Sequence, residues 1–480
     1  VELHVSLTGR GDLAGQIYSQ TKAAILDGRL RAGQVIPPSR ELAARLAVSR
    51  NTVSVAYDRL TAEGFLTARV GVGTYVSDTF VDPCTEEQEE VGRAPRPLAV
   101  WDEIPDPPDM SRARATFDFR CGTPDISRFP FATWRSLVAD QLRGEQFTDG
   151  LYGEPAGHYG LRTAIARHIG VARAVRTQPE DVVITNGIQH ALDVISRVFL
   201  RPGDTVAVED PGYPPARWLF QSLGARVVGV PVDANGMVVD ALPDNARLVY
   251  VCPSHHFPLG VSMSLRRRLA LLAWADRTGA VIIEDDYDSE FRYAGRPLDP
   301  LHSLDRAGRV LYLGSFSKTM LPTLRLGFCV TPPALRPVLR KAKFVSDWFT
   351  ALPMQAALAR FIDEGLFARH VRRMRAVYLA RRDLITTLLA RDHADVLTTS
   401  PSVAGMHLAA TLRSGRVDHA SRVARHAKKY DVRVNNMFDF WFDRPPQPGV
   451  VIGFGVIPLE KIPEGLERLR ACIEDIATTS

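Results

Sequence analysis

The stretch 280–330, AVIIEDDYDSEFRYAGRPLDPLHSLDRAGRVLYLGSFSKTMLPTLRLGFCV, decides how this chain folds. Ala280 to Glu284 is a short apolar, β-branched run of the kind that forms a strand covered on both faces. It gives way to Asp285, Asp286 and Tyr287. A second run, Arg309 to Leu313, leads to Ser315, Phe316, Ser317 and Lys318, and a third spans Leu326 to Val330. The three runs predict strands of an open α/β sheet, where ligands bind beyond the carboxyl ends of strands. Each carboxyl end is expected to present polar groups, so that a carboxylate, a phenol, two hydroxyls and a lysine converge.

That set has one economical chemical meaning. A partly desolvated lysine loses its proton more easily than one in water, and its free amine condenses with an aldehyde. In pyridoxal phosphate (PLP) sites the lysine forms a Schiff base and a carboxylate pairs with the pyridinium nitrogen. Arg325, just past the lysine, offers a planar fork for a phosphate. Taken singly, each residue reads equally well as a solvated acidic turn or a surface lysine. The spacing of the whole set favours the cofactor.

EDDYDSEFRY (284–293) and GSFSKTMLPTLRLGF (314–328) closely resemble the aminotransferase-like domain of the MocR/GabR type of bacterial transcription regulators. The resemblance runs over nearly the whole chain. It implies the fold of fold-type I PLP enzymes, with Lys318 as the PLP lysine, Asp285 at the pyridine nitrogen and Tyr287 at the ring hydroxyl. Ser315, Ser317 and Arg325 join them as cofactor-binding residues.

Composition sets outer bounds. A chain of 480 residues exceeds one ordinary core and predicts two or three domains. With 45% apolar and 24% charged residues it reads as soluble and globular. No apolar run approaches the ~20 residues of a membrane span. VELHVSLTGRGDL at the amino terminus has no basic-then-apolar signal pattern, so a cytoplasmic protein is expected. Cys84, Cys121, Cys252, Cys329 and Cys472 are scattered and form no CxxC pair. Neither a metal site nor a disulfide framework is expected. A net charge of +5 permits an acidic partner such as DNA without requiring one.

Leu13 to Asp27 has the apolar spacing of an amphipathic helix closed by Gly28. Pro37-Pro38 blocks helix propagation, and Ser39 is a candidate cap for a short helix to Leu46. A turn at Ala47-Val48 leads to Ser49, a second cap candidate. The helix from Arg50 to Glu63 carries Val53, Ala56, Tyr57 and Leu60 on one face and ends at Gly64. Two short helices joined by a tight turn describe a helix-turn-helix, whose second helix enters the major groove by its amino end. Phe65 to Ser77 alternates around Gly71 and Gly73 as a hairpin wing. The segment resembles the GntR-type winged helix, which implies that Arg40, Arg50, Asn51, Thr52 and Thr74 face double-stranded DNA. The bland alternative is a three-helix domain whose arginines are a solvated face.

Three parts of the chain are therefore expected: a winged helix (1–77), a linker (78–116) and an aminotransferase-like domain (117–480). The linker is rich in proline and acids, cannot bury enough surface to fold alone, and reads as semi-extended. Trp101 and Ile104 are its candidates for docking. From Phe117 an opening loop and helix lead into the α/β pattern. Tyr152, by resemblance, reaches the cofactor of a partner subunit. Gly187, with Ile188 and Gln189 in the first turn of the following helix, forms a strand-glycine-helix junction suited to an anion. Tyr213 matches the family's ring-stacking position. His255 is a candidate ring contact or hydrogen-bonding residue, while His256, where the family usually has glutamine, stays open. The helix from Leu265 to Arg277 carries Leu265, Leu269 and Leu272 on one stripe. A small α+β subdomain is expected from roughly 391 to 480, with Arg433 and Arg217 as candidates for an effector carboxylate.

The reading is a PLP-dependent regulator, dimeric and exchanging domains between subunits, that senses PLP itself, an amine or amino-acid effector, or both. The competing reading is an active aminotransferase with an appended DNA-binding module.

Overall fold

A computed structural model describes residues 3–9, 11–69, 73–78, 96–107, 115–143, 152–295, 298–400, 403–413 and 416–478. The chain divides into two compact units, Val1–Leu98 and Ala99–Ser480. In the first, helices α1 (Leu13–Leu26), α2 (Ser39–Leu46) and α3 (Arg50–Ala62) precede a hairpin of β1 (Leu66–Arg69) and β2 (Gly73–Val76). Ile17, Ala24, Ile25, Leu42, Val53, Ala56 and Leu60 form its core, so the apolar spacing read from sequence is the buried face. Gly71, expected in the wing, lies outside the described residues.

The two cap candidates separate. Ser49 Oγ accepts from Thr52 N at 3.1 Å and starts α3. Ser39 is already helical, and Pro38 holds the cap position of α2 without a side-chain bond. Proline's fixed φ, here −55°, sets that start without needing a hydroxyl. Ser49→Ala is expected to loosen α3 by about 1 kcal/mol, and Ser39→Ala to leave α2 unchanged. Hydrogen exchange of the two helices in the full chain checks both.

The second unit opens with α4 (Val100–Glu103), so this part of the expected semi-extended linker is one helical turn, with Trp101 exposed on it. Strand β3 (Phe117–Phe119), α5 (Phe131–Arg143) and α6 (Tyr159–Arg173) follow. The large sheet then forms from β4 (Val182–Thr185), β5 (Thr205–Asp210), β6 (Arg226–Asp233), β7 (Gly236–Met237), β8 (Ala246–Val251), β9 (Val281–Asp286), β10 (Val310–Ser315) and β11 (Gly327–Val330). Between these strands lie α7 (Ile188–Phe199), α8 (Pro214–Ser222), α9 (Leu265–Thr278) and α10 (Leu301–Leu304). The sheet order is β4-β11-β10-β9-β8-β5-β6-β7, with β10, β9, β8, β5 and β6 mutually parallel.

Helices α11 (Arg336–Asp347), α12 (Leu352–Asp363) and α13 (Leu366–Asp392) lead to a second sheet. It contains β12 (Leu397–Thr399), β13 (His407–Leu412), β14 (Val432–Asn436) and β15 (Gly449–Gly453) in the order β12-β13-β15-β14-β3. Helices α14 (Val417–His426) and α15 (Ile462–Thr478) pack on it through Ala420, Val423, Leu466, Leu469 and Ile473.

Four expectations change. Strands β9 and β10 run on through Asp286 and Ser315, so these polar residues lie inside strands rather than after them. Strand β11 is antiparallel to both neighbours, which brings its amino end, at Arg325, to the carboxyl ends of the others. The segment 316–326, which ends in a 3-10 turn with Arg325 at φ +51°, reverses the chain there, and an antiparallel neighbour needs no crossover helix. Phe117–Phe119 is not an opening loop: it pairs with β14, so the small subdomain includes the chain before residue 391. Finally, Leu265 and Leu269 are 50% and 51% exposed, while Arg268, Leu271, Trp274 and Ala275 form the buried face of α9. Arg268 can be buried because it donates to the carbonyls of Met263, Pro253 and Asp299.

Candidate cofactor site and nucleic-acid interface

The carboxyl ends of β4, β5, β8, β9 and β10 and the amino end of β11 meet at one edge of the large sheet. Past β4, Gly187 adopts φ +81°, and a Cβ there would lie 2.9 Å from Arg325 Nη2. The positive φ thus calls for glycine, and a larger residue would also push the Arg325 guanidinium aside. Arg325 Nη2 donates to Asn186 O at 2.8 Å, laying the guanidinium across the start of α7. The first turn of α7, with Ile188 and Gln189, presents unpaired N–H groups and partial positive charge. Ser315 Oγ accepts from Ser317 N at 3.1 Å, which sets the turn that carries Lys318.

Lys318 Nζ donates to Gly122 O at 2.7 Å. Burial pushes its pKa below the ordinary lysine value, which favours the neutral, nucleophilic amine. Asp285 is buried at the end of β9. Its Oδ2 accepts from Tyr250 Oη at 2.6 Å, and its Oδ1 has no hydrogen-bond partner. Burial pushes this acid up to about 7. An unpaired buried carboxylate oxygen is what a protonated pyridine nitrogen would satisfy, so the residues present fit PLP. When bound, the cofactor supplies an electron-withdrawing ring conjugated to an imine. Tyr213, at the start of α8, is 37% exposed and meets Phe257 edge-on with ring centroids 6.3 Å apart.

The remaining candidates divide. Tyr287 Oη is 3.2 Å from His255 Nδ1, and His255 in turn pairs with Asp288. His256, left open by the sequence, donates from Nε2 to Pro211 O at 3.0 Å. Burial lowers its pKa to about 3, so it is a neutral structural residue. Gln189 Nε2 donates to Pro215 O at 2.9 Å, which turns its amide toward the Tyr213 segment. Tyr152 is 76% exposed, and its ring packs on Trp348 and Phe349. Arg217 lies over the Phe442 ring at 4.4 Å and donates to Trp441 O. Arg433 sits in β14 opposite Asp118.

Sequence reasoning missed Tyr250, Asp288, His407 and Gly122. Tyr250 lies in the apolar run LVYV and carries no local sign of its bond to Asp285. Asp286 follows Asp285 directly, and strand alternation turns it to the opposite face. There its Oδ2 accepts from Arg173 Nε at 2.8 Å, Tyr312 Oη at 2.5 Å and Ser289 Oγ at 2.9 Å, a buried ion pair already engaged by three donors.

In the first unit, Arg40, Arg50 and Asn51 are exposed, the latter two in the first turn of α3. Thr52 is half-buried and its hydroxyl is 2.8 Å from Ser49 Oγ, so it serves the cap. Thr74 is half-buried in β2, where its carbonyl accepts from Ile36 N.

Residues 124–446 match the family described as "Aminotransferase class I and II", and residues 13–76 match "Bacterial regulatory proteins, gntR family". Over 467 residues the chain is 39% identical to the probable rhizopine catabolism regulatory protein MocR of Rhizobium meliloti, covering 95% of this chain and 92% of that one. The chain belongs to the MocR-type regulators. It is 30% identical to the pyridoxine biosynthesis regulator PdxR of Corynebacterium glutamicum, over 92% of this chain and 91% of that protein. A solved Pyrococcus horikoshii kynurenine aminotransferase, in complex with PMP, has a TM-score of 0.70 at 28% identity, covering 80% of this chain and 96% of that chain. This MocR-type chain thus joins a GntR-type DNA-binding domain to a PLP-binding domain of aminotransferase fold. Among the described residues no helix is long and apolar enough to cross a membrane.

Proposed function

We propose that this MocR-type regulator holds PLP through Lys318 and reports an amino compound to the DNA bound by its winged helix. The observation that carries the reading is the meeting of Lys318, Asp285, Tyr287, Tyr213 and Arg325 at one sheet edge. Lys318 supplies the amine, Asp285 the carboxylate for the pyridine nitrogen, and Tyr287 a hydroxyl for the ring oxygen. Gly187, Ile188, Gln189, Ser315, Ser317 and Arg325 take the phosphate end, and His255 supports the ring side. The winged helix is taken as residues 1–77, the linker as 78–116 and the sensor as 117–480. Signalling requires that the effector bind one arrangement of these parts more tightly than the other.

The protein is taken to act in the cytoplasm as a homodimer that exchanges domains, with Tyr152 serving the other subunit's cofactor. Its exposed ring supports that role. Arg217 and Arg433 stay candidates for an effector acid group, although Arg217 is already engaged by the segment around Trp441 and Phe442.

An absorbance spectrum of the purified chain, repeated with candidate amines, tests the sensor. A shift on amine addition without amino transfer to a keto acid supports it. Net transfer supports the second reading, an active aminotransferase with a DNA-binding module, which the likeness to the kynurenine aminotransferase keeps open. At the other end, Arg50→Ala is expected to weaken operator binding by about 1–3 kcal/mol if Arg50 reads a base. Loss of a phosphate contact would instead lower the slope of log affinity against log salt by about 1. Gel-shift titrations at several salt concentrations check both, and unchanged binding would remove Arg50 from the interface.

A further inference from the structure

We propose that Asp288 and His255 are positioning residues for Tyr287 that fix where its hydroxyl proton points. This rests on the cofactor reading above. His255 Nδ1 lies 3.0 and 3.1 Å from the two Asp288 oxygens and 3.2 Å from Tyr287 Oη. A carboxylate only accepts, so it draws the imidazole proton to Nδ1. That N–H is shared between Asp288 and the Tyr287 oxygen. The phenol then cannot donate to the imidazole, and its own hydrogen is left for the cofactor's ring oxygen.

The opposite tautomer carries two penalties. It sets the Nδ1 lone pair against the carboxylate, and it places an N–H on Nε2, which has no hydrogen-bond partner. Both side chains are 2% exposed or less, so water cannot relieve either penalty. The loop before β13 closes over the pair. Gly405 has φ +79°, and a Cβ there would fall 2.0 Å from His255 Cε1 and 2.6 Å from Asp288 Oδ2. Gly405 N donates to Phe291 O at 2.8 Å and its carbonyl accepts from Tyr293 Oη at 2.6 Å, which fixes the loop. The His407 ring lies against His255 at 4.9 Å between centroids.

Among the described residues, the charged and titratable groups facing this set are Cys252 after β8, Asp285 from β9, His256 beside His255, Tyr293 beyond Asp288, and His407 from β13. Cys121 after β3 and Lys318 after β10 face it as well. Burial first, then the Asp288 charge, raise Tyr287 above the ordinary tyrosine value, so it stays a phenol and a donor. Burial holds His407 neutral.

The test is a double-mutant cycle on the full chain loaded with PLP, read as the pH midpoint of its visible absorbance change. An amide both donates and accepts, so Asp288→Asn frees the imidazole to carry its proton on either nitrogen. The Asp288→Asn shift is measured alone and in the Tyr287→Phe background. We expect the two shifts to differ by about one pH unit, since the effect acts through the Tyr287 proton. Equal shifts mean that Asp288 acts only by its field, which overturns the proposal. A parent midpoint that moves on adding a chelator would mark the His255, Asp288 and His407 group as a cation site and overturn it too. Should the Asp288 variant fail to load, His255→Gln run through the same cycle decides by the same criterion. A parent without a visible band would instead sink the cofactor reading itself.

Discussion

Lys318→Ala is expected to abolish covalent retention of PLP. In the parent, borohydride should fix the cofactor on residue 318, giving one added mass on the peptide that spans it and removing the visible band. The variant should show neither the mass nor the band. The physical basis is local. Among the described residues Lys318 Nζ donates to Gly122 O at 2.7 Å, and a Cβ on that glycine, whose φ is +82°, would lie 3.1 Å from the amine. Burial penalises the charged ammonium, while Cys121, Asp288 and Asp285 partly oppose that shift. Recovery of the parent peptide unmodified at residue 318 would remove the sensor reading. DNA binding by the first unit would then stand without a known input.

The second large effect concerns Asp285, and it has opposite signs for stability and for cofactor binding. In the cofactor-free chain burial raises Asp285 from its ordinary 3.8 to about 7. Below the lower value both folded and unfolded chains hold the proton, and nothing differs. Between the two values the folded chain keeps a proton that the unfolded chain has lost, so stability falls as pH rises. Above about 7 the loss is complete. Asp285→Asn removes this term while leaving an oxygen to accept from Tyr250. The cofactor-free variant should therefore be more stable than the parent at pH 8, by a few kcal/mol, and the gain should vanish toward pH 4. Glu209 and Glu284 carry raised values of about 8 and about 7, so both proteins keep a residual slope of the same sign.

Cofactor affinity should move the other way. The amide cannot offer a carboxylate to the pyridinium nitrogen, and losing one charge-assisted hydrogen bond weakens binding by about ten- to a hundredfold. Thermal denaturation across pH, with and without PLP, reads both effects. A variant less stable than the parent at pH 8 without PLP would show that Asp285 is already satisfied in the free chain.

The sequence by itself determined the elements and most of the chemistry. Apolar runs at 280–284, 309–313 and 326–330 became β9, β10 and β11 because short β-branched runs bury both faces of a sheet. Ser49 caps α3 as its place ahead of that helix implies, whereas Ser39, which reads the same way in the sequence, lies inside α2. The lysine, the acid and the tyrosine were legible from their place after such runs. Tertiary structure decided the rest. Only the sheet's orientation sends Asp285 into the pocket and Asp286 to Arg173. The chain reversal between β10 and β11 makes β11 antiparallel, and only pairing with a distant strand joins Phe117 to Val432. The His255, Asp288 and His407 group forms from three separate stretches, and a contact between residues far apart in the chain leaves no periodicity or spacing in either stretch to announce it.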